Sequence, residues 1–168
     1  MKKLFLTLAL AFVGIFTVNA QTWIGGGVGA KIYENHTQFS ISPEFGYNIN
    51  NHWTVALGAS YGFTQDKILS ETVTTNELSL EPYVRYVGGT IGHKFSLFVD
   101  LTGDFGLIDK SGYAVSLRPG IAWAATEKFT AAFRFGFAGY DHGFYGPNNG
   151  FFMNCETVAP EIRFYYSF

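Results

Sequence analysis

The closing segment Val158-Ala159-Pro160-Glu161-Ile162-Arg163-Phe164-Tyr165-Tyr166-Ser167-Phe168 decides how the rest of the chain is read. Val158, Pro160, Ile162, Phe164, Tyr166 and Phe168 alternate with Ala159, Glu161, Arg163, Tyr165 and Ser167, so one face is apolar and the other carries the charge. A period of two belongs to a strand, because successive side chains of extended backbone point to opposite faces. A soluble sandwich would bury the apolar face against a second sheet. Here the other strands repeat the pattern with aromatics crowding the same face, which predicts lipid outside.

The second strand sets Phe39, Ile41, Pro43, Phe45, Tyr47 and Ile49 against Ser40, Ser42, Glu44, Gly46 and Asn48. The third sets Trp53, Val55, Leu57, Ala59, Tyr61 and Phe63 against small residues from Thr54 to Gly62 that suit a narrow lumen. Four more follow, with outward sets Leu78 to Tyr86, Phe95 to Phe105, Tyr113 to Trp123, and Phe129, Ala131, Phe133, Phe135 and Phe137. The first strand, Trp23 to Ile32, is glycine-rich at Gly25, Gly26, Gly27 and Gly29. Its Gly25-x-Gly27-x-x-Ala30 spacing is no dinucleotide fingerprint, since that motif needs a strand before it and a helix after it. In a barrel, such glycines relieve crowding in the lumen or permit a bend.

The count is therefore eight strands, predicting an all-β, antiparallel, up-and-down transmembrane barrel. Pro43, Pro82, Pro119 and Pro160 mark the even strands, each followed four residues later by an aromatic: Tyr47, Tyr86, Trp123 and Phe164. Those aromatics predict a ring at one membrane interface. Proline lacks the ladder donor, so bulges or unpaired carbonyls are expected beside it. Loop length sets the orientation. Asn50 to His52, Val87 to Lys94 and Ala124 to Lys128 read as turns on the periplasmic side, whereas Tyr33 to Thr37, Thr64 to Asn76, Leu107 to Gly112 and Asp141 to Asn154 read as loops facing out of the cell.

Composition agrees. The 168 residues suffice for one domain, and they are 48% hydrophobic, 18% aromatic and only 14% charged. Lys2 and Lys3 precede an apolar run from Leu4 to Val18, and Val18-Asn19-Ala20 places a small residue at a cleavage site. Residues 1–20 are thus expected to be a signal peptide and residues 21–168 the barrel domain; a retained helix would need about 20 apolar residues to span. Cleavage leaves 9 basic against 13 acidic residues, a formal charge of −4, which speaks against a polyanionic partner such as nucleic acid. Cys155 is the only cysteine, so no disulfide framework holds the fold.

The inward charges are Lys31, Arg85, Arg118, Arg134 and Arg163 against Glu44, Glu81, Asp100, Asp104 and Glu161. An arginine facing lipid at mid-depth costs roughly 2–4 kcal/mol, so these belong inside. An eight-stranded barrel has room for little more than its own side chains, and the expectation is a paired network that plugs the lumen. Catalysis has little to rest on: His36, His52, His93 and His142 all fall in loops or turns, and Asp141-His142 has no serine beside it by sequence. No histidine pair has ligand spacing, so neither metal nor cofactor is expected. Phe144, Tyr145, Phe151 and Phe152, interleaved with glycine and asparagine, make the last loop the candidate contact patch.

The signal segment, the eight alternating strands, the Pro-x-x-x-aromatic strands and the closing Phe164-Tyr165-Tyr166-Ser167-Phe168 together resemble the small outer-membrane β-barrels of Gram-negative bacteria, of the OmpX and OmpA-transmembrane type. That resemblance implies a monomer in the outer membrane, with the terminal aromatics Phe164, Tyr166 and Phe168 read by the barrel assembly machinery during biogenesis. It implies no enzyme, but an envelope-structural or surface-interaction role in which loops meet an extracellular ligand or host surface. The alternatives are a narrow porin-like channel and a lipid A-modifying enzyme.

Overall fold

The computed structural model describes residues 21–33, 36–68, 71–108, 112–145, 149–154 and 161–168. The leader expected at residues 1–20, Cys155, Val158 and Pro160 lie outside the described residues, as does the side chain of Lys31. Ten ladder segments run in chain order: β1 Thr22–Tyr33, β2 His36–Asn48, β3 Trp53–Ile68, β4 Glu71–Ile91, β5 Phe95–Ile108, β6 Tyr113–Ala124, β7 Phe129–Arg134, β8 Phe137–His142, β9 Asn149–Asn154 and β10 Glu161–Ser167. Every pairing is antiparallel; β1 to β6 pair in chain order, and β1 also pairs with β10, which closes the sheet on itself. Segments β7 and β8 both pair with β6 and make up one wall strand, while β9 and β10 make up the next. The fold is a closed eight-stranded up-and-down antiparallel barrel.

Alternation decides what faces where. On β6, Ala114, Ser116, Arg118 and Gly120 are buried while Tyr113, Val115, Leu117 and Pro119 are accessible. On β10, Arg163 and Tyr165 are buried while Ile162, Phe164 and Tyr166 are accessible. The exterior is therefore a continuous apolar wall, and the only environment in which such a wall is stable is hydrocarbon. The interior is packed. Trp23, Tyr83, Phe98, Ala132 and Tyr165 form its apolar part, with Trp23 meeting Tyr165 edge-on at 4.6 Å between ring centroids.

Lumenal glycines make room for these rings. A Cβ on Gly46 would lie within the Trp23 indole, and one on Gly25 would stand 2.5 Å from the Tyr165 ring. Gly58 separates Glu44 on one neighbouring strand from Glu81 on the other, in register with both.

The prolines disturb the ladder in two ways. Beside Pro43 and Pro82 the register is kept but pairing lapses, between Ile41↔Tyr61 and Glu44↔Gly58 in one case and between Leu80↔Phe105 and Tyr83↔Thr102 in the other. At Pro119 there is a bulge. Two residues of β6, Arg118 and Pro119, stand opposite three, Phe135, Gly136 and Phe137. Gly136 takes a φ of 62°, a left-handed conformation that suits glycine. The extra residue reverses the phase, so Phe137 turns inward beneath Arg118 instead of outward as the alternation of Phe129 to Phe135 predicts.

Two further expectations are corrected. Thr64 to Asn76 is not a loop: β3 and β4 stay in register from Phe63↔Asn76 to Ile68↔Glu71, forming a hairpin arm. Its polarity suggested a loop, but Thr72, Val73, Thr74 and Thr75 are β-branched, which favours extended backbone. Likewise much of Asp141 to Asn154 is the β8–β9 hairpin, paired from Phe137↔Asn154 to His142↔Asn149. At the other end, β4 runs on to Ile91 through a register shift between Val87 and Gly89, shortening the turn expected from Val87 to Lys94.

Gly46→Ala forces a methyl into the Trp23 ring and is expected to destabilise the barrel by about 1–3 kcal/mol. Gly89→Ala, which meets nothing within 4 Å, is expected to leave stability unchanged. Denaturant unfolding of the two variants in detergent, followed by tryptophan fluorescence, measures the difference.

Candidate functional site: the lumenal charge network

Strand register assembles the inward charges. Arg85 on β4 stands beside Asp100 on β5, which stands beside Arg118 on β6, and Glu161 on β10 stands beside Arg134 on β7. Small neighbours leave room for the long side chains: Ala132 faces Arg163, Ala114 faces Asp104, and Gly120 faces Arg134.

The network has a lower and an upper half. In the lower half Asp100 is wholly buried and takes a forked pair from Arg85, with Nε 2.7 Å from Oδ1 and Nη2 2.9 Å from Oδ2. Arg134 donates to the same carboxylate from Nε at 2.8 Å. The Arg85 guanidinium lies 3.9 Å from the centre of the Phe98 ring and donates to the Tyr165 hydroxyl at 3.1 Å. A planar guanidinium can fork onto a carboxylate while stacking on an aromatic face, which a lysine cannot do.

In the upper half Arg118 holds Asp104 at 2.6 Å and Glu81 at 3.4 Å. The Tyr145 hydroxyl donates to Asp104 at 3.0 Å and accepts from Arg118 at 2.9 Å, and the Tyr145 ring packs on Phe137 and Phe152.

Arg163 joins the halves. Its side chain is 0% exposed, and it reaches Glu44 at 3.0 Å, Glu81 at 2.8 Å and Glu161 on its own strand. Glu161 in turn approaches Arg134 at 3.3 Å and Arg118 at 3.9 Å. Glu44 also accepts from the Tyr83 hydroxyl at 2.6 Å. Nine charged groups from β2, β4, β5, β6, β7 and β10 thus form one connected cluster across the barrel.

Sequence reasoning placed Tyr165 on the charged face but missed Tyr83 and Phe98, the other aromatics threaded through this cluster. Tyr83, Phe98 and Tyr165 occupy the polar phase of their strands, and an aromatic at that phase beside an arginine is the signal that could have revealed them.

The candidate contact patch is divided. Phe144 is buried, and Tyr145 sends its hydroxyl into the lumen, because the Asp141 carboxylate accepts from the backbone N–H of both and folds the turn inward. Phe152 packs on Phe137. Phe151, 92% exposed, stands against Tyr140 on the outer face. The four therefore do not form one surface. Phe164, Tyr166 and Phe168 all lie on the outer wall, with Phe164 stacked on Phe129 and Tyr166 edge-on to Phe168. His142 stacks on Tyr113 at the outer rim. Among the described residues no group of three His, Cys, Asp or Glu side chains has the geometry to hold a metal.

No family model matches the chain, and no curated protein sequence does. Among solved structures it is similar to the Yersinia pestis outer membrane protein Ail in a phospholipid bilayer nanodisc, with a TM-score of 0.52 and 12% identity over 89% of this chain and 100% of that one. At that identity the likeness is one of fold.

Removing one member of a buried ion cluster leaves its partners charged and unpaired, at a cost of roughly 3–5 kcal/mol. Arg163→Met is expected to fall in that range, because three carboxylates lose a cation together. Glu161→Gln, whose side chain is 35% exposed, is expected to cost less. Comparing unfolding midpoints of the two variants checks the order.

Proposed function

We propose that this chain is a monomeric, non-enzymatic integral protein of a Gram-negative outer membrane, with a plugged lumen and an envelope-structural or surface-interaction role carried by its extracellular arms. The observation that carries the reading is the nine-membered charge cluster. Arginines and carboxylates at hydrogen-bond distance, packed among Tyr83, Phe98 and Tyr165, fill the cross-section through which a solute would have to pass. The apolar outer wall and the fold shared with a bilayer-embedded outer membrane protein support the location. In this reading residues 1–20 direct export, and the outward aromatics Phe164, Tyr166 and Phe168 serve assembly and anchoring. Outer-membrane lipid is the principal partner; nucleic acid and cofactors have no part.

The arms support the interaction role. Among the described residues, β4 from Glu71 to Asn76 is laddered to β3, while its pairing with β5 begins only at Leu78. A strand laddered on one side is a template on which an extended segment of an extracellular protein can add.

Planar-bilayer conductance of the purified protein tests the plug. Few or no discrete channels are expected from the unaltered chain, and Arg118→Ala with Asp104→Ala is expected to raise conductance by opening the upper half. Stable channels from the unaltered protein in most insertions would instead make the lumenal charges a selectivity path. For the arm, deleting residues 65–75 is expected to preserve the heat-shifted gel mobility of a folded barrel while abolishing attachment to cell surfaces.

A further inference from the structure

The β2–β3 turn forms a notch of about 610 Å³ at the short-turn end of the barrel, lined by Gln21, Ile49, Asn50, Asn51, His52, Trp53 and Tyr86. Its size falls within the roughly 300–1,000 Å³ of small-ligand sites. One side is apolar, where Trp53 and Tyr86 pack at 4.9 Å and carry the outer wall into the notch with Ile49. The other side consists of amides and one imidazole, and among the described residues no carboxylate, lysine or arginine lines it.

Existing hydrogen bonds fix what these polar groups can still offer. The Asn50 Oδ1 accepts from the backbone N–H of His52 and Trp53, so the group Asn50 has left is its amide donor. The Gln21 Oε1 accepts from the Tyr47 hydroxyl, which likewise leaves its amide donor. His52 Nδ1 lies 3.0 Å from the Val87 carbonyl oxygen. A carbonyl only accepts, so Nδ1 carries the hydrogen and neutral His52 presents Nε2 as an acceptor. The imidazole is held in place by stacking on Tyr86 at 6.1 Å.

We infer that this notch binds the headgroup of a phosphoethanolamine lipid in the periplasmic leaflet. The amides of Gln21, Asn50 and Asn51 donate to the phosphate, and His52 Nε2 accepts from the ammonium. The acyl chains continue along Ile49, Trp53 and Tyr86 into the apolar wall. Side-chain donors on one side and an acceptor on the other match a zwitterion. A quaternary choline headgroup has the same phosphate but no N–H to give to His52. The inference rests on the proposed membrane location, with the short turns at the periplasmic face.

Native mass spectrometry of the detergent-purified full-length protein, titrated separately with phosphatidylethanolamine, phosphatidylcholine and phosphatidylglycerol, tests it. Phosphatidylethanolamine is expected to bind about ten- to a hundredfold more tightly than phosphatidylcholine, the difference made by one hydrogen bond to a charged group. His52→Phe keeps an aromatic ring beside Tyr86 and should abolish that preference while the heat-shifted mobility of the folded barrel is kept. Asn51→Ala should weaken both zwitterionic lipids alike. Equal binding of the three lipids, or a preference that survives His52→Phe, overturns the site. So does the absence of any bound lipid in a sample that keeps the heat-shifted mobility. Loss of that mobility, with the protein absent from membrane fractions, overturns the membrane reading and the site with it.

Discussion

A guanidinium on the last strand cannot face hydrocarbon, and inside an eight-stranded barrel it has almost nowhere to go. Arg163 resolves this by reaching Glu44 and Glu81 while engaging its neighbour Glu161. The two distant carboxylates sit on β2 and β4, so the charge of the final segment is neutralised by the first half of the chain. Closure and charge pairing are therefore one event. A barrel halted before β10 docks on β1 would leave Glu44 without the cation that the closed form supplies, and a buried charge without its partner is severely penalised. The network adds little net stability against an apolar core of equal volume, but it strongly disfavours every arrangement in which the strands are present and the ring is open.

The same packing determines where function can reside. The lower half of the lumen is closed by Trp23, Tyr165 and Phe98 around Arg85, and the upper half by Phe137, Tyr145 and Phe152 around Arg118. Charge lies between two aromatic layers, and in the proposed plugged reading a hydrated ion would have to displace a guanidinium from its carboxylate, which leaves the two rims for interaction. One rim carries the β3–β4 and β8–β9 hairpins, and the other is shaped by the short β2–β3 turn, which leaves a notch beside Trp53 and Tyr86.

How much of this was legible in the sequence follows from the period of a strand. Alternation identifies the two faces wherever the ladder is regular, so Glu44, Arg85, Asp100 and Arg163 could be placed inside, and Leu57, Val99 and Ile162 outside, with no further information. Alternation cannot say where lipid ends and water begins. Thr64 to Asn76 reads as a loop by polarity, yet a strand wetted on both faces needs no apolar residues, and its threonines keep the ladder running. Nor does alternation carry across an irregularity, so Phe137 lies on the face opposite to the one its phase predicts.

That last residue carries the wider physical point. Because side chains alternate strictly, one inserted residue turns every subsequent position of a strand to the opposite face. The insertion at Phe135 and Gly136 acts on all of β8. It brings Phe137 and Asp141 inside, while Ala138, Tyr140 and His142 become the wall. Asp141, once inside, holds the backbone of Phe144 and Tyr145 and turns them inward, and only from there can the Tyr145 hydroxyl reach Asp104 and Arg118. In the uninterrupted phase Asp141 would project toward lipid, and Arg118 and Asp104 would face the outer mouth without a cover. The upper aromatic layer is thus the consequence of one extra residue opposite Pro119, and Gly136 is the residue whose left-handed backbone lets the strand absorb it.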